Sequence, residues 1–369
     1  MNASPVLFLT YWYPSKSNKG FGIFIKRHAH AVKRNKPVIM LAFITRNSNL
    51  FFKKSVRRYT DEAGTETHEI VIETYFNKLF YVLLPFQFVI INSYLRQSNI
   101  RFGAIISNVV FPCGIIGYYL AKRHCSKHYI IEHWTKVDKF FNRSLYASRG
   151  RLAYGTANRV IAVSDQLKET LKKHNVRANI VVIPNVIDPA EFFYDRALSP
   201  NPVFTFLGVA SWSQFKNPFM FLDPLNTLAA KKLIGEFKVV LVGTGDYLQE
   251  VKSRNYLFEI EFRGTLSSSE IRSEMNRSHV FVHGSEFETF SVVIAEALCC
   301  GLPCVVSPVG IAPEVIKECN GFIAKDKNDW MRMLQAVYNR NYDRELISND
   351  MREKFSYEKV SRLFDEALV

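Results

Sequence analysis

The chain has 369 residues, of which 48% are hydrophobic and 22% charged, values that are ordinary for a globular protein of two or three domains. Its longest apolar run, residues 79–91, is interrupted by Pro85 and Gln87 and is too short to cross a bilayer. The first residues lead directly into a strand pattern, so we expect no signal peptide. We therefore predict a soluble cytoplasmic protein, either free or peripheral on the inner face of the cytoplasmic membrane.

The net charge of +14 is unevenly distributed along the chain. Residues 1–200 carry 29 Lys and Arg against 12 Asp and Glu, a balance of +17, whereas residues 201–369 carry 19 against 22, a balance of −3. This asymmetry indicates an anionic partner for the first half, which could be nucleic acid, an anionic membrane or a phosphorylated substrate. General surface solubility is the alternative explanation.

The six cysteines show neither a CxxC pair nor a Cys/His spacing suited to zinc. We expect them to be packing thiols in a reducing compartment, and we expect neither a metal nor a cofactor. The cysteines are Cys113, Cys125, Cys299, Cys300, Cys304 and Cys319.

The first predicted elements form a β-α-β opening. A buried strand over 5–10 is followed by a loop rich in Gly, Ser and Lys over 11–22, a helix over 23–34 and a strand over 37–45. The loop stands at the carboxyl end of the first strand, where open α/β sheets bind ligands. The polar residues 51–75 predict an irregular hairpin.

Residues 76–97 are rich in aromatic side chains and contain Pro85. Apolar residues surround this segment without a clean polar face, which favours a proline-interrupted core helix. A surface helix that touches lipid is the alternative.

The rest of the first half continues the alternation of strands and helices. The predicted strands cover 104–107, 129–131, 159–164 and 180–183, and the predicted helices cover 114–122 and 165–174. The second of these strands runs into Glu132, His133 and Trp134. A histidine at the carboxyl end of a strand is a candidate for function, although a structural histidine fits the same position.

A break over 184–189, extended by Pro200 and Pro202, coincides with the change in charge balance and predicts a domain boundary. A second α/β series follows, with strands over 203–208, 238–242, 259–262, 279–282 and 304–307 and helices from about residue 329 to the end. We predict two Rossmann-like domains, residues 1–190 and 191–352, that face each other across a cleft.

The stretch 283–301 carries the most specific pattern in the chain. Glu288 and Glu296 are separated by seven residues and lie on a predicted strand, loop and helix that ends at Gly301. The amino end of that helix suits a phosphate, and Glu296 lies roughly 7–8 Å further along it. A carboxylate among apolar neighbours is costly unless it is paired, so Glu296 is expected to face a ligand. A solvated surface glutamate is the alternative.

Other short motifs accompany this pair of glutamates. They are Glu132-His133-Trp134, residues 162–165 (AVSD), 182–188 (VIPNVID), 242–245 (VGTG), 262–264 (FRG), 296–305 (EALCCGLPCV), Gly310 with Pro313-Glu314, and Asn320-Gly321. In this order and at these separations, they resemble the retaining glycosyltransferases of GT-B fold, glycosyltransferase family 4. The resemblance covers nearly the whole chain and is strongest over 204–322.

The resemblance implies a donor site for a nucleotide-sugar. Glu296 would hold the ribose hydroxyls, Glu288 would lie by the hydroxyls of the donor sugar, and Lys216 would neutralise the diphosphate. Gly22 would lie near the donor phosphate and His133 near the donor sugar. The loop residues Thr289, Phe290, Ser291 and Val292 would hold the diphosphate. The base would be bracketed by Arg263, Gly264 and Leu266. The resemblance also implies that a last segment, residues 353–369, packs back toward the first domain.

Two positions depart from the family pattern. Ser211 stands where the family usually has an arginine five residues before its lysine, so one cation on the diphosphate is missing or is supplied by a residue such as Lys19 or Arg263. Thr289 and Ser291 replace two glycines, although a small polar residue at the start of a helix is physically sensible.

The predicted activity is a metal-independent, retaining hexosyl transfer. A UDP-sugar would donate to a glycan or a lipid-linked saccharide in bacterial surface polysaccharide synthesis. The chain has no DxD motif, which argues against a metal on the diphosphate. The alternatives are a nucleotide-sugar epimerase of the same fold and a basic nucleic-acid-binding protein, although no nucleic-acid-binding module is recognisable.

Overall fold

The computed structural model describes residues 4–14 and 20–369. The chain forms two compact units. The first comprises Met1–Val186 with Tyr357–Val369, and the second comprises Ile187–Ser356. The predicted boundaries after residues 190 and 352 stand four residues from these junctions.

The first unit is built on one eight-stranded sheet. Its strands are β1 (Val6–Thr10), β2 (Val38–Asn47), β3 (Lys53–Thr60), β4 (Glu66–Thr74), β5 (Ala104–Asn108), β6 (Lys127–Glu132), β7 (Arg159–Ala162) and β8 (Ile180–Val182). Their order is β3-β4-β2-β1-β5-β6-β7-β8, and every neighbouring pair except β3 with β4 is parallel. All five residues of β1 are buried, as expected for a central strand of a parallel sheet.

Among the described residues, seven α-helices lie between these strands in the chain. They are α1 (Ile23–Lys33), α2 (Asn77–Val82), α3 (Leu84–Gln97), α4 (Ile115–His124), α5 (Val137–Arg143), α6 (Ala147–Thr156) and α7 (Asp165–Lys173). The predictions for α1, α4 and α7 are confirmed to within two residues at each end, because their apolar periodicity is clear in the sequence.

Two predictions for the first unit need correction. Residues 51–75 form a regular antiparallel ladder of β3 on β4 with an unbroken register. β4 is buried along most of its length because it also pairs with β2 on its other side. Residues 76–97 form two helices that meet at Leu83, and only part of their surface joins the core. Phe80 and Ile91 are buried, whereas Phe76 and Leu79 are exposed. The prediction of a core helix is therefore wrong for one face.

The second unit is built on a six-stranded, wholly parallel sheet. Its strands are β9 (Phe204–Val209), β10 (Phe237–Val242), β11 (Glu259–Gly264), β12 (Val280–His283), β13 (Cys304–Val306) and β14 (Gly321–Ile323), in the order β11-β10-β9-β12-β13-β14. Its helices are α8 (Phe219–Ala230), α9 (Tyr247–Ser253), α10 (Ser268–Arg277), α11 (Val292–Cys299), α12 (Ala312–Val315), α13 (Lys327–Tyr338) and α14 (Arg344–Lys354). Trp212, Phe221 and Trp330 lie in its core.

The last helix, α15 (Tyr357–Ala367), belongs to the first unit. It packs against α1. Lys36 Nζ lies 2.7 Å from Asp365 Oδ1, and the rings of His28 and Phe364 meet edge to face at 5.2 Å.

Strand order reverses once in each sheet. In the second unit β9 has β10 on one side and β12 on the other, and in the first unit β1 has β2 on one side and β5 on the other. Open parallel sheets bind ligands at the carboxyl ends of the strands beside such a reversal. The loops after β9 and β12, and those after β1 and β5, are therefore the places to look for a site.

Candidate active site

Lys216 and Glu288 meet at the reversal in the second unit. Lys216 lies in the loop after β9 and Glu288 in the loop after β12, and these two strands are parallel neighbours. Lys216 Nζ is 3.0 Å from Glu288 Oε1. The sheet order thus brings together two predicted site residues that stand 72 positions apart in the chain.

Glu288 is a largely buried carboxylate, with 11% of its side chain exposed. Its Oε1 also lies 3.3 Å from His283 Nε2, at the end of β12. Burial pushes the pKa of Glu288 up, but the His283 hydrogen bond and the Lys216 charge outweigh burial, so its pKa falls below 4.5. Glu288 is therefore ionised at neutral pH. Nothing in the local sequence indicates His283 as its partner.

Hydrogen bonds tie the loops at this edge to one another. Glu286 N donates to Phe215 O at 2.9 Å, and Ser285 Oγ donates to the same carbonyl at 3.2 Å. Ser285 N donates to Ser307 Oγ, in the loop after β13, at 3.2 Å. These bonds fix the backbone on both sides of the pair formed by Lys216 and Glu288, which fixes the position of the pair.

The start of α11 has the geometry of an anion site. Ser291 precedes the helix in a left-handed conformation (φ 65°), and Thr289, Phe290 and Ser291 are buried while Val292 is half-buried. Gly310 (φ 57°) holds this loop closely, because a Cβ there would stand 2.4 Å from Phe290 O. The first amides of a helix have no intrahelical acceptor, so they and the helix dipole favour a phosphate.

Glu296 lies in the second turn of α11 and is half-buried. The predicted helix over 291–300 is confirmed as Val292–Cys299. The spacing of the two glutamates thus places one in the loop before the helix and the other inside it.

The loops after β10 and β11 lie at the same carboxyl edge of this sheet, on the opposite side of β9 from β12. Gly243 (φ 107°) and Gly245 (φ 151°) allow a close approach, since a Cβ at either position would stand within 2 Å of the carbonyl oxygen of Ala210 or Trp212. Gly243 N donates to Gly264 O at 2.6 Å, and the half-buried Leu266 follows. This explains why the VGTG motif needs its glycines.

Arg263 is engaged in ion pairs. Its guanidinium lies 2.5 Å from Glu261 Oε2 and 3.8 Å from Glu274 Oε1. The charge is therefore shared with two carboxylates, which makes Arg263 a weak substitute for an arginine at the exposed Ser211. Lys19, the other suggested substitute, lies outside the described residues.

Gly22 and His133 lie on the first unit. Gly22 (φ 73°) precedes α1, and a Cβ there would stand 2.5 Å from Trp12 O. His133 is buried after β6, with its ring 4.6 Å from that of Phe24 and 5.4 Å from that of His28. Burial, and then the neighbouring His28, hold the pKa of His133 well below 6.5, so its ring is neutral.

Glu132, immediately before His133, is fully buried and was not singled out by the sequence analysis. Its carboxyl oxygens accept four hydrogen bonds: from the amides of Val110, His133 and Trp134 at 2.8–3.0 Å, and from the Tyr154 hydroxyl at 2.5 Å. Burial raises its pKa despite these bonds. Glu132 therefore organises the backbone around His133.

Within residues 4–14 and 20–369, no helix is long and apolar enough to span a membrane. In the same ranges, no three His, Cys, Asp or Glu side chains cluster in a way that could hold a metal ion. Of the cysteines, Cys125 and Cys319 are exposed and the other four are buried.

Comparisons with known proteins agree with the fold and the motifs. The family model for glycosyltransferase family 4 matches residues 43–191, and the model for glycosyl transferases group 1 matches residues 201–340. The solved Anabaena protein HepE, in complex with UDP and glucose, superposes with a TM-score of 0.73 over 99% of both chains at 16% identity. The two Rossmann-like units and this likeness define the GT-B fold. The chain belongs to the family 4 glycosyltransferases.

Two curated relatives share part of the sequence. An uncharacterized glycosyltransferase of Methanocaldococcus jannaschii is 25% identical over 75% of this chain and 80% of its own length. The UDP-Gal:alpha-D-GlcNAc-diphosphoundecaprenol alpha-1,3-galactosyltransferase of Escherichia coli is 30% identical over 41% of this chain and 40% of its own. The second match thus spans less than half of either protein.

Proposed function

We propose that this glycosyltransferase moves a hexose, with retention of anomeric configuration, from a UDP-sugar to a glycan or a lipid-linked saccharide. The observation that carries the proposal is the ion pair between the largely buried Glu288 and the partly exposed Lys216, in the loops beside the start of α11. A cation and a helix amino end, both fixed by the fold, are what a departing diphosphate requires.

In the proposed reaction, the bond between the anomeric carbon and the diphosphate oxygen breaks as a bond to the acceptor oxygen forms on the same face of the sugar. The acceptor proton passes to the leaving phosphate oxygen. Lys216 and the first amides of α11 stabilise the charge that develops on the diphosphate, which makes the reaction independent of a divalent metal. Glu288, ionised and held by His283, orients the sugar hydroxyls.

The other predicted residues complete the proposed donor site. Glu296 accepts hydrogen bonds from the ribose hydroxyls, and the backbone around Arg263, Gly264 and Leu266 brackets the base. We assign to His133 a contact with the donor sugar, and to Gly22 a close backbone approach to the donor phosphate. The neutral ring of His133 suits a hydrogen bond to a hydroxyl better than it suits proton transfer.

We infer a lipid-linked acceptor and a role in bacterial surface polysaccharide synthesis, at the cytoplasmic face of an anionic membrane. The balance of +17 over residues 1–200 supports an anionic acceptor or surface. The E. coli relative, whose name specifies a diphosphoundecaprenol-linked acceptor, supports this acceptor chemistry.

A thermal-shift screen over UDP-, GDP- and ADP-sugars tests the donor. We expect a UDP-sugar at about 100 times its Kd to stabilise the protein by roughly 2.7 kcal/mol. Glu296→Ala should abolish most of this shift, whereas Glu286→Ala, at an exposed position in the neighbouring loop, should keep it. The proposal fails if no nucleotide-sugar stabilises the protein.

Product analysis tests the reaction itself. We expect an unchanged anomeric configuration by NMR and undiminished turnover in excess EDTA. Release of free sugar from the donor at the same rate with and without acceptor would indicate an epimerase-like reaction instead.

A further inference from the structure

The first unit exposes a group of large apolar side chains, which we call the apolar crest: Phe51, Tyr75, Phe76, Leu79, Leu83 and Leu145. Leu145 is 97% exposed, Phe51 80% and Tyr75 70%. Soluble proteins rarely leave so many neighbouring large apolar groups in water unless the surface binds something.

Ring contacts join Phe51, Tyr75 and Phe76 at one end of the crest. The Phe51 and Phe76 rings meet edge to face at 5.8 Å, and Tyr75 meets Phe76 at 5.4 Å. Leu79 lies in α2 and Leu83 directly follows that helix, and Leu83 lines a groove of about 490 Å³ together with Leu145. The crest therefore runs from the β3 side of the unit to the α5–α6 connection.

The helices that carry the crest pack their inner side against the core of the first unit. On the inner side of the same two helices, Phe80 is buried with its ring stacked 6.2 Å from that of Phe43. Gln87, also buried, accepts from the Tyr11 hydroxyl and donates to Phe80 O. The exposed side chains are thus presented by a folded element whose inner face is already satisfied.

Positive charge lies at the Leu83 and Leu145 end of the crest. Lys136, Lys139 and Arg143 line the same groove as Leu83 and Leu145, and Arg149 lines a neighbouring apolar groove of about 320 Å³. Residues 74–131, which include both crest helices, contain six Lys or Arg and no Asp or Glu. An apolar surface with a cationic border suits the boundary between headgroups and acyl chains of an anionic bilayer.

We propose that this face is a membrane-docking surface: the apolar crest inserts into the leaflet of an anionic bilayer, and Lys136, Lys139 and Arg143 bind lipid phosphates. The inference deepens the membrane association proposed above and does not depend on the donor chemistry. A second copy of the chain fits the face less well, since a twofold contact through it would bring these cations close to their own counterparts.

Vesicle co-sedimentation tests the surface. The full chain should bind vesicles of phosphatidylglycerol and phosphatidylcholine (1:1), with binding that weakens as salt increases, and should bind pure phosphatidylcholine at least tenfold more weakly. Phe51→Ser/Tyr75→Ser/Leu145→Ser should lower binding to the anionic vesicles at least tenfold, because it removes three large inserted side chains.

Matched variants on the second unit serve as controls. Leu233→Ser/Leu257→Ser/Leu346→Ser removes three other exposed apolar side chains and should bind as the wild type does. Lys139→Glu/Arg143→Glu should remove the preference for anionic lipid, whereas Lys231→Glu/Lys325→Glu should keep it. All variants should keep the thermal midpoint and UDP binding of the wild type, which separates this inference from the proposed donor site.

Three results would overturn the inference: no wild-type binding to anionic vesicles, equal binding by the crest variant, or equal loss in the control on the second unit. A wild-type dimer that the crest variant converts to monomers, without vesicle binding, would assign the face to a second copy of the chain.

Discussion

The two units each place a buried glutamate at the carboxyl end of a parallel strand, and the two carboxylates have opposite surroundings. Glu132 ends β6 and accepts hydrogen bonds only from neutral donors, three amides and one hydroxyl. Glu288 follows β12 and is paired with Lys216 and His283. Burial raises the pKa of Glu132, whereas in Glu288 the two partners overcome the effect of burial and the pKa is lowered.

The difference shows how one topological position serves two purposes. A carboxyl that satisfies four neighbouring donors holds the backbone in place but has no lone pair directed to a ligand. A carboxylate paired with a half-exposed lysine keeps its charge and leaves that lysine within reach of an anion. We therefore expect Glu132 to matter for folding and Glu288 for turnover.

The largest effect is expected from Glu132→Ala. The substitution leaves three buried amides and the Tyr154 hydroxyl without their acceptor, so we expect a loss of about 3–5 kcal/mol in the free energy of unfolding of the first unit. Hydrogen exchange should show lost protection over 104–160 and preserved protection over 280–306. Tyr154→Phe, which removes one of the four bonds, should cost about 1 kcal/mol.

Unchanged protection in Glu132→Ala would contradict the structural role of this carboxyl. Loss of protection in both units to the same extent would contradict the separation between them on which the comparison depends.

Glu288→Gln should mainly affect catalysis. Removing the charge while keeping the shape should lower kcat about 10²–10³-fold, the usual cost of one electrostatic contact that acts in the transition state. The Kd for UDP should stay within a few-fold, and the thermal midpoint should change little. Glu286→Gln, two residues earlier and exposed, should keep wild-type turnover. Equal turnover in Glu288→Gln and the wild type would remove Glu288 from the site.

The sequence predicts the elements around Glu288 well and its partners poorly. The apolar run before Gly284 and the stop at Gly301 define β12 and α11 locally, so their positions follow from periodicity and helix signals. The contact between Lys216 and Glu288 depends on β9 and β12 being neighbours, which no local pattern encodes. Resemblance to a family suggested both residues, but only the sheet order explains why they touch.

In the first unit, too, the local sequence does not reveal which distant residues contact a buried side chain. The motif at residues 132–134 drew attention to His133, whereas two of the four bonds to Glu132 come from distant residues, Tyr154 in α6 and Val110 before α4. Composition likewise suggested that residues 76–97 belong to the core, since periodicity alone does not show which apolar face of a short helix finds a partner.

The smallest expected effect is on the pH dependence of stability. The contributions of the two glutamates should change with pH in opposite directions. The folded-state pKa of Glu132 is raised above 4.5, so its contribution to stability is present below that pH and is lost as pH rises through the folded value. The folded-state pKa of Glu288 is lowered below 4.5, so its contribution is present above that pH and is lost as pH falls through the folded value.

Unfolding of the wild type and of Glu132→Gln and Glu288→Gln, followed from pH 3 to pH 8 by hydrogen exchange in each unit, measures both slopes. The stability of the wild type relative to Glu132→Gln should decrease as pH rises above about 4.5, and relative to Glu288→Gln it should decrease as pH falls below about 4.5. Slopes of the same sign would mean that the two carboxylates ionise alike, and the contrast between a structural and a catalytic glutamate would fail.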